Sequence, residues 1–193
     1  MTEQHIMIDL ETLSTRTTAS IVSIGAVKFD PHGDDRLIPP DSGFYVRLRP
    51  ETNHPQFHVD ADTIAWWLRQ SEKTRLEFSN KDSVGIEYAL QMFYKWVRGD
   101  QPFDVSEVII WSHEGFDYPI LQHAYDVFSM TAPFMYRSGR DIRTIIHAAF
   151  GRNLDVEEEV EGFPKNPNPH HPVYDAWHQA IMVQECFRRL GKA

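Results

Sequence analysis

The chain has 193 residues, of which 41% are apolar and 24% charged, and its formal net charge is −9. This length fits one domain spanning residues 1–193, and the absence of a membrane-length apolar run or a signal-peptide pattern predicts a globular, cytoplasmic protein without membrane contact. The negative charge argues against a broad basic surface for nucleic acid, although carboxylates gathered around divalent cations would also make a chain acidic.

Three β-strands are predicted near the N-terminus, at residues 5–10, 20–29 and 43–48. These segments are rich in β-branched residues and bounded by turn-forming residues, which suggests an antiparallel meander. A helix should follow over the segment DADTIAWWLRQ, with Asp60 or Asp62 as its N-cap.

The rest of the chain alternates helical patterns with one strand. The segment EVIIW is apolar throughout, as is typical of a strand buried on both faces of a sheet. Apolar residues at helical spacing predict further helices over residues 71–78, 83–98, the stretch up to Phe128, 140–151 and 175–190. Strands first, followed by helices and a strand, predict a mixed α/β sheet covered by helices.

One segment, from about residue 152 to 172, differs in composition from the rest. DVEEEVE carries five acids in seven positions, and four prolines follow between Pro164 and Pro172. Blocks of this kind are typical of solvated loops, so we expect a loop insertion here.

The heptapeptide IMIDLET is the first candidate for a functional site. Alternation in a strand directs Asp9 and Glu11 to one face, and Ile8 and Leu10 to the other. In a strand this apolar the two carboxylates would be buried side by side, at considerable cost unless a cation lies between them. From this pair alone, a pair facing solvent near a turn is an equally good interpretation.

Two further aspartates favour a shared site. Asp117 follows the buried strand EVIIW near the start of a helix, where α/β sheets usually bind ligands, and Asp175 lies in the first turn of the last helix. Each could simply cap its helix. Four such acids with a nearby histidine, however, are what the hydrolysis of a phosphodiester by two Mg²⁺ or Mn²⁺ ions requires.

The motifs DLET, GFD and H-x4-D resemble those of the DEDD exonucleases, and the histidine five positions before the last aspartate is similar to that of the DEDDh subgroup. DTIAWWLRQSEKTR and RDIRT further resemble the exodeoxyribonuclease VIII-like and mycobacterial ribonuclease AS-like branch. The resemblance covers Ile6 to Ala180 and implies a ribonuclease H-like fold, 3′-to-5′ removal of nucleotides and a homodimer. It also implies metal binding by Asp9, Glu11, Asp117 and Asp175. His113 departs from the asparagine that many relatives carry at this position.

The general base is predicted to be His170 rather than His171. His170 lies five residues before Asp175, which is the DEDDh spacing, whereas His171 lies four before it. The prolines of NPNPHHPVYDA should hold this stretch extended, so that the two imidazoles diverge and only one faces the metals.

Substrate contacts are expected from the backbone around Leu10 and Thr12, which in the family meets the terminal 3′ hydroxyl, and from Phe116. Trp66 and Trp67 are adjacent on a helix and cannot face the same way, so one should pack in the core while the other stacks on a terminal base. The candidate phosphate contacts are Arg69, Arg137, Arg140 and Arg143.

Several alternatives stay open at this point. The substrate could be single-stranded or otherwise 3′-ended DNA or RNA, since recognition of a 2′-hydroxyl depends on a few side chains that sequence does not place. A non-catalytic nucleic-acid or nucleotide-binding module that retains the fold is the rival outside enzymes, and a structural protein in which the acids only cap helices is a third.

Overall fold

The computed structural model describes residues 3–34, 42–49, 55–78, 81–99, 104–113, 115–152 and 154–191. Five strands form one sheet in the order β3–β2–β1–β4–β5. Their bounds are β1 (Gln4–Thr12), β2 (Ile21–Phe29), β3 (Phe44–Arg47), β4 (Val108–Ser112) and β5 (Gly139–Asp141). β1 to β3 form the antiparallel meander, whereas β4 pairs parallel with β1 and β5 parallel with β4. The predicted mixed sheet of a ribonuclease H-like fold is confirmed.

Helices flank this sheet, with bounds α1 (Ala61–Leu68), α2 (Glu72–Arg75), α3 (Ile86–Arg98), α4 (Asp117–Val127), α5 (Ile142–Phe150), α6 (Val156–Glu159) and α7 (Pro172–Leu190). Asp60 is the N-cap of α1, because its side chain accepts a hydrogen bond from the backbone N–H of Thr63. Within the described ranges, no helix combines the length and apolar character needed to cross a membrane.

The sheet separates two hydrophobic cores. Ile6, Ile8 and Leu10 of β1 face α3 and α4, and both isoleucines are completely buried. Met7 points to the opposite face, into the core formed with α5 and α7. Full burial of an isoleucine stabilises the fold by roughly 1.5–3 kcal/mol, so this alternation fixes the orientation of β1, including its carboxylates.

Three features differ from the sequence-based expectations. The short edge strand β5 was not predicted. α7 begins at Pro172, three residues earlier than predicted, because a proline at the first helical position lacks only an N–H that would have no intrahelical partner. The acidic run contains α6, whose Val156 is fully buried in the core beside α7, so this part of the run is not a solvated loop.

Candidate active site

The start of α7 lies directly against the sheet beside Asp9. Gly25 is the partner of Asp9 in the β1–β2 ladder, and a Cβ at Gly25 would lie 2.2 Å from the carbonyl carbon of Pro172. Only a glycine leaves room for this approach. The contact brings Asp175, in the first turn of α7, to the face of the sheet that carries Asp9.

Asp9 and Glu11 share that face, as the alternation of the strand predicts. Asp9 Oδ1 accepts a 2.8 Å hydrogen bond from Gln179 Nε2 of α7, and Glu11 is buried. Burial of its carboxylate raises the pKa of Asp9 well above the ordinary value, and the charge of Asp117 adds to this. The pKa of Glu11 is also raised well above its ordinary value, first by burial and then by Asp9 and Asp175.

Asp117 accepts hydrogen bonds from the backbone near the ends of two strands, β1 and β4. The β1–β4 ladder stops at Met7 and Trp111, and beyond it Asp117 Oδ1 accepts from Leu10 N at 3.1 Å. Asp117 Oδ2 accepts from His113 N at 3.2 Å. Burial raises the pKa of Asp117 to about 7, while the two backbone donors oppose the rise. A carboxylate offers about four acceptor positions, so these bonds leave capacity for a metal ion.

Asp175 approaches from the opposite side, on α7. Its Oδ1 accepts a 2.5 Å hydrogen bond from Asn166 Nδ2, in the proline-rich segment. Burial raises the pKa of Asp175 to about 8, and the nearby charge of Asp9 contributes to the rise.

His170 joins Glu11 and Asp175 in one cluster, in which a ligand atom from each residue lies within 4.8 Å of the others. The His170 ring contacts the Trp66 ring edge to face, with centroids 5.1 Å apart. His170 has φ 64°, a left-handed conformation that costs a non-glycine residue roughly 1–2 kcal/mol. Burial lowers the pKa of His170, which favours the neutral imidazole.

His171 points away from this cluster. Its ring packs on Tyr45 at a centroid distance of 4.5 Å and on Tyr174 at 5.1 Å. The predicted divergence of the two histidines is therefore present, but its cause differs from the prediction. A turn at His170, with His171 N donating to Asn168 O, separates the rings, and the stretch is not extended throughout.

A cavity of about 610 Å³ opens on the Glu11 side of the carboxylates. The predicted substrate contacts Leu10, Thr12, Trp66, Trp67 and Phe116 all line it, together with Arg69. Trp67 is 2% exposed and donates from Nε1 to Thr12 O, whereas Trp66 is 36% exposed. Trp67 is thus the core residue and Trp66 the one open to a ligand. The N–H of Leu10 is already bonded to Asp117.

A second cavity, of about 540 Å³, opens on the Asp175 side. His113, Arg143 and Gln179 line it. Arg140 lies farther along the surface, and Arg137 is exposed. The candidate arginines are therefore divided between the two sides of the carboxylates.

The four acids and His170 fit a divalent cation site. Carboxylate oxygens are the ligands that Mg²⁺ and Mn²⁺ prefer, and a bound cation would relieve the repulsion that raises the pKa values of the acids. In the part of the chain described, Glu11, His170 and Asp175 form the cluster with ligand spacing, and Asp9 and Asp117 lie next to it.

Sequence reasoning missed Gln179 and Asn166, which hold Asp9 and Asp175. Gln179 lies four residues after Asp175, on the same helical face, so helical spacing could have indicated it. Asn166 is held in place by loop geometry, for which the sequence gives no periodic signal.

The model of the 3′-5′ exoribonuclease Rv2179c-like domain family matches residues 4–187. The chain belongs to this family. Its membership confirms the predicted resemblance to a family of 3′-to-5′ exonucleases, while the narrower branch stays a prediction. No curated protein sequence matches the chain.

Solved structures of E. coli exonuclease I share the fold. The complex with a dA16 oligonucleotide has a TM-score of 0.71 at 11% identity, covering 98% of this chain and 42% of that chain. The zinc-bound complex with single-stranded DNA has a TM-score of 0.64 at 11% identity, covering 100% of this chain and 43% of that one. The chain thus spans less than half the length of these relatives.

Proposed function

We propose that this protein is a 3′-to-5′ exonuclease that hydrolyses the terminal phosphodiester bond of a single-stranded or 3′-ended nucleic acid and releases 5′-mononucleotides. Two divalent cations, Mg²⁺ or Mn²⁺, are the cofactors of this proposal. The observation that carries it is the convergence of four carboxylates from β1, α4 and α7 with the imidazole of His170, from the turn before α7, beside a nucleotide-sized cavity that Glu11 lines.

Each acid has a role that its position supports. Asp9 interacts electrostatically with Glu11, Asp117 and Asp175, and it would contact both cations. Glu11 and Asp175 would complete one site, and Asp117 would support the other. When bound, the cations would polarise the scissile phosphate and lower the pKa of the attacking water.

His170 would accept the proton of that water on a ring nitrogen. Its lowered pKa keeps the imidazole neutral near pH 7, which a general base requires. Trp66 contacts the His170 ring edge to face. The side chain proposed to stack on the substrate therefore also helps to position the proposed base.

The cavity beside Glu11 would hold the terminal nucleotide. Trp66 offers a partly exposed aromatic face for stacking, Phe116 lines the same cavity, and the backbone around Leu10 and Thr12 would meet the 3′ hydroxyl. The family description favours RNA as the substrate, whereas the exonuclease I complexes contain DNA. We further propose that residues 1–193 form a single domain, that the protein is a homodimer and that it is located in the cytoplasm.

The decisive experiment compares RNA, single-stranded DNA and duplex DNA of one sequence, each labelled at the 5′ end. Incubation with Mg²⁺ or Mn²⁺ should shorten the strand stepwise from its 3′ end, and EDTA should stop the reaction. A blocked 3′ end should protect the strand, and a closed circle should resist. Cleavage of closed circles at a comparable rate would contradict an exonuclease, and binding of the strand without cleavage would favour the non-catalytic module.

A further inference from the structure

Three adjacent cavities lie between the catalytic carboxylates and the edge of the sheet. The cavity of about 540 Å³ shares Arg143 with a neighbouring cavity of about 430 Å³, which shares Asp141 and Thr144 with a third of about 310 Å³. We call this surface the arginine groove. It begins at Asp175 and Gln179 and ends at Arg140, in the edge strand β5.

Arginines are concentrated in the segment that forms the outer part of this groove. Residues 137–143 carry three arginines and one aspartate, although the formal net charge of the protein is −9. Besides Arg140, Arg143 and Asp175 of the metal cluster, the groove is lined by two further carboxylates, Asp141 and Asp155. Asp141 and Asp155 accept hydrogen bonds from backbone N–H groups as the N-caps of α5 and α6. The positive ends of these helices offset part of their negative charge.

The guanidinium of Arg140 is held in a defined position. Its Nη1 donates to the carbonyl oxygens of Arg137 and Gly139, at 3.0 and 2.8 Å. A guanidinium fixed in this way loses less rotamer freedom when it binds an anion, and its planar set of donors matches a phosphate.

Two buried polar atoms at the catalytic end of the groove have no hydrogen-bond partner among the described residues. They are Nδ1 of His113 and Oε1 of Gln179, and both residues line the groove. Buried polar atoms are normally hydrogen-bonded, so unpaired ones beside a cavity point to a ligand. A phosphate oxygen would accept from a protonated Nδ1 of His113, whereas Oε1 of Gln179 needs a donor such as a sugar hydroxyl.

The position of the groove favours a nucleic-acid strand as that ligand. The carboxylates lie between the groove and the cavity of Trp66, since Glu11 lines the cavity and Asp175 lines the groove. If the 3′-terminal nucleotide occupies the cavity, the rest of the strand has to leave the carboxylates on another side.

We propose that the arginine groove binds the sugar-phosphate backbone of the strand on the 5′ side of the scissile bond, with Arg143 and Arg140 contacting successive phosphates. The proposal rests on the proposed function and adds a substrate requirement: single strands of several nucleotides bind better than a dinucleotide.

The test measures kcat and KM for a dinucleotide and for single strands of up to about 16 nucleotides. In the wild type, KM should fall as the strand lengthens and then level off. Arg140→Ala should raise KM for long strands roughly three- to fivefold, as expected for one exposed charged contact, with kcat within about twofold. Arg140→Glu should raise it further, and Arg140→Lys should restore most of the binding.

Binding of a labelled strand to the same variants in an Asp9→Asn background tests the groove without turnover. For single strands, each lost phosphate contact should reduce the slope of log K against log salt by about 0.7. Arg152→Ala is the matched control, because Arg152 is exposed, pairs with Glu159 and does not line the groove. Thermal melting shows whether each variant is folded.

The proposal would be overturned if KM depended on strand length in the same way in the wild type and in Arg140→Glu, and if the two proteins had equal salt slopes. A general loss of hydrolysis, the dinucleotide included, would assign Arg140 to folding or chemistry and would also count against it. Failure of the proposed function has a different signature: the wild type would hydrolyse no strand with either metal, while the binding assay would still report on the groove.

Discussion

Gly25 lies opposite Asp9 in the β1–β2 ladder, and the first turn of α7 rests on it. The missing side chain at Gly25 is therefore what allows Asp175 on α7 and Asp9 on β1 to approach each other. The geometry of the carboxylates depends on a residue that contributes no chemistry of its own.

Replacing Gly25 by alanine should destabilise the protein and reduce activity together. The added Cβ would lie 2.2 Å from Pro172 C and 2.4 Å from Val173 N, so backbone has to move, at a cost of about 1–3 kcal/mol or more. Thermal melting and nuclease assays measure both effects. Gly115→Ala is the control, since a Cβ there meets nothing within 4 Å, and its melting temperature should not change. A Gly25→Ala protein as stable and active as the wild type would contradict this role.

Asp9→Asn should abolish turnover while the protein stays folded. The substitution removes one charge from a buried cluster whose repulsion raises the pKa values of its members, so stability should hold or rise. Loss of metal-based charge stabilisation should lower the rate by roughly a thousandfold or more. Melting temperature and rate are measured on one preparation, with EDTA-treated wild type as the reference. Collapse of the fold, or full activity in EDTA, would count against the site.

Metal binding should strengthen as pH rises from 6 to about 8.5. The folded-state pKa values of Asp117 and Asp175 are raised to about 7 and about 8, so the metal-free fold holds protons that the unfolded chain releases near pH 4. The stability that these protons provide is fully present below about pH 4 and is lost progressively as pH rises from there through about 7 to 8. A cation has to displace the same protons, so its affinity should increase up to about tenfold per pH unit for each proton released.

Calorimetry with Mn²⁺ in buffers of different ionisation enthalpy counts the protons released. The number should be largest near pH 6, the acidic end of the range, and should fall there by about one in Asp175→Asn. Affinity that does not change between pH 6 and 8.5 would show that the carboxylates are already ionised without metal.

The sheet and the four acids were predictable because each depends on local pattern. β1 and β4 are apolar, and the alternation of β1 determines the face that carries Asp9 and Glu11. β5 could not be predicted, since three residues are too few for a period and its pairing depends on β4. The turn at His170 and the bond from Asn166 to Asp175 depend on loop packing, which no spacing in the sequence records.

Trp66→Ala should impair substrate binding without unfolding the protein. Trp67→Ala should mainly lower the stability of the fold. Stacking on one base contributes about 1–3 kcal/mol, so KM should rise roughly five- to a hundredfold in Trp66→Ala. Trp67 is buried and bonded to Thr12 O, and its truncation should cost about 3–5 kcal/mol of stability. Tyr88→Ala, on an exposed face of α3, is the control. An unchanged KM in Trp66→Ala would exclude base stacking there.

The two adjacent histidines should differ sharply in function. His170 lies with Glu11 and Asp175, whereas His171 packs between Tyr45 and Tyr174. Removing a general base costs on the order of 10² to 10⁴ in rate, so His170→Ala should fall in that range while His171→Ala stays within a few-fold of wild type. His171→Phe retains a ring against both tyrosines and separates lost packing from lost chemistry. The rate of His170→Ala should also lose its dependence on the pKa of an imidazole, which pH profiles of kcat measure. If His171→Ala and His171→Phe both lose activity and His170→Ala does not, the turn at residue 170 presents the other imidazole to the substrate. If every variant is nearly fully active, the proton of the attacking water passes to solvent and neither histidine is the general base.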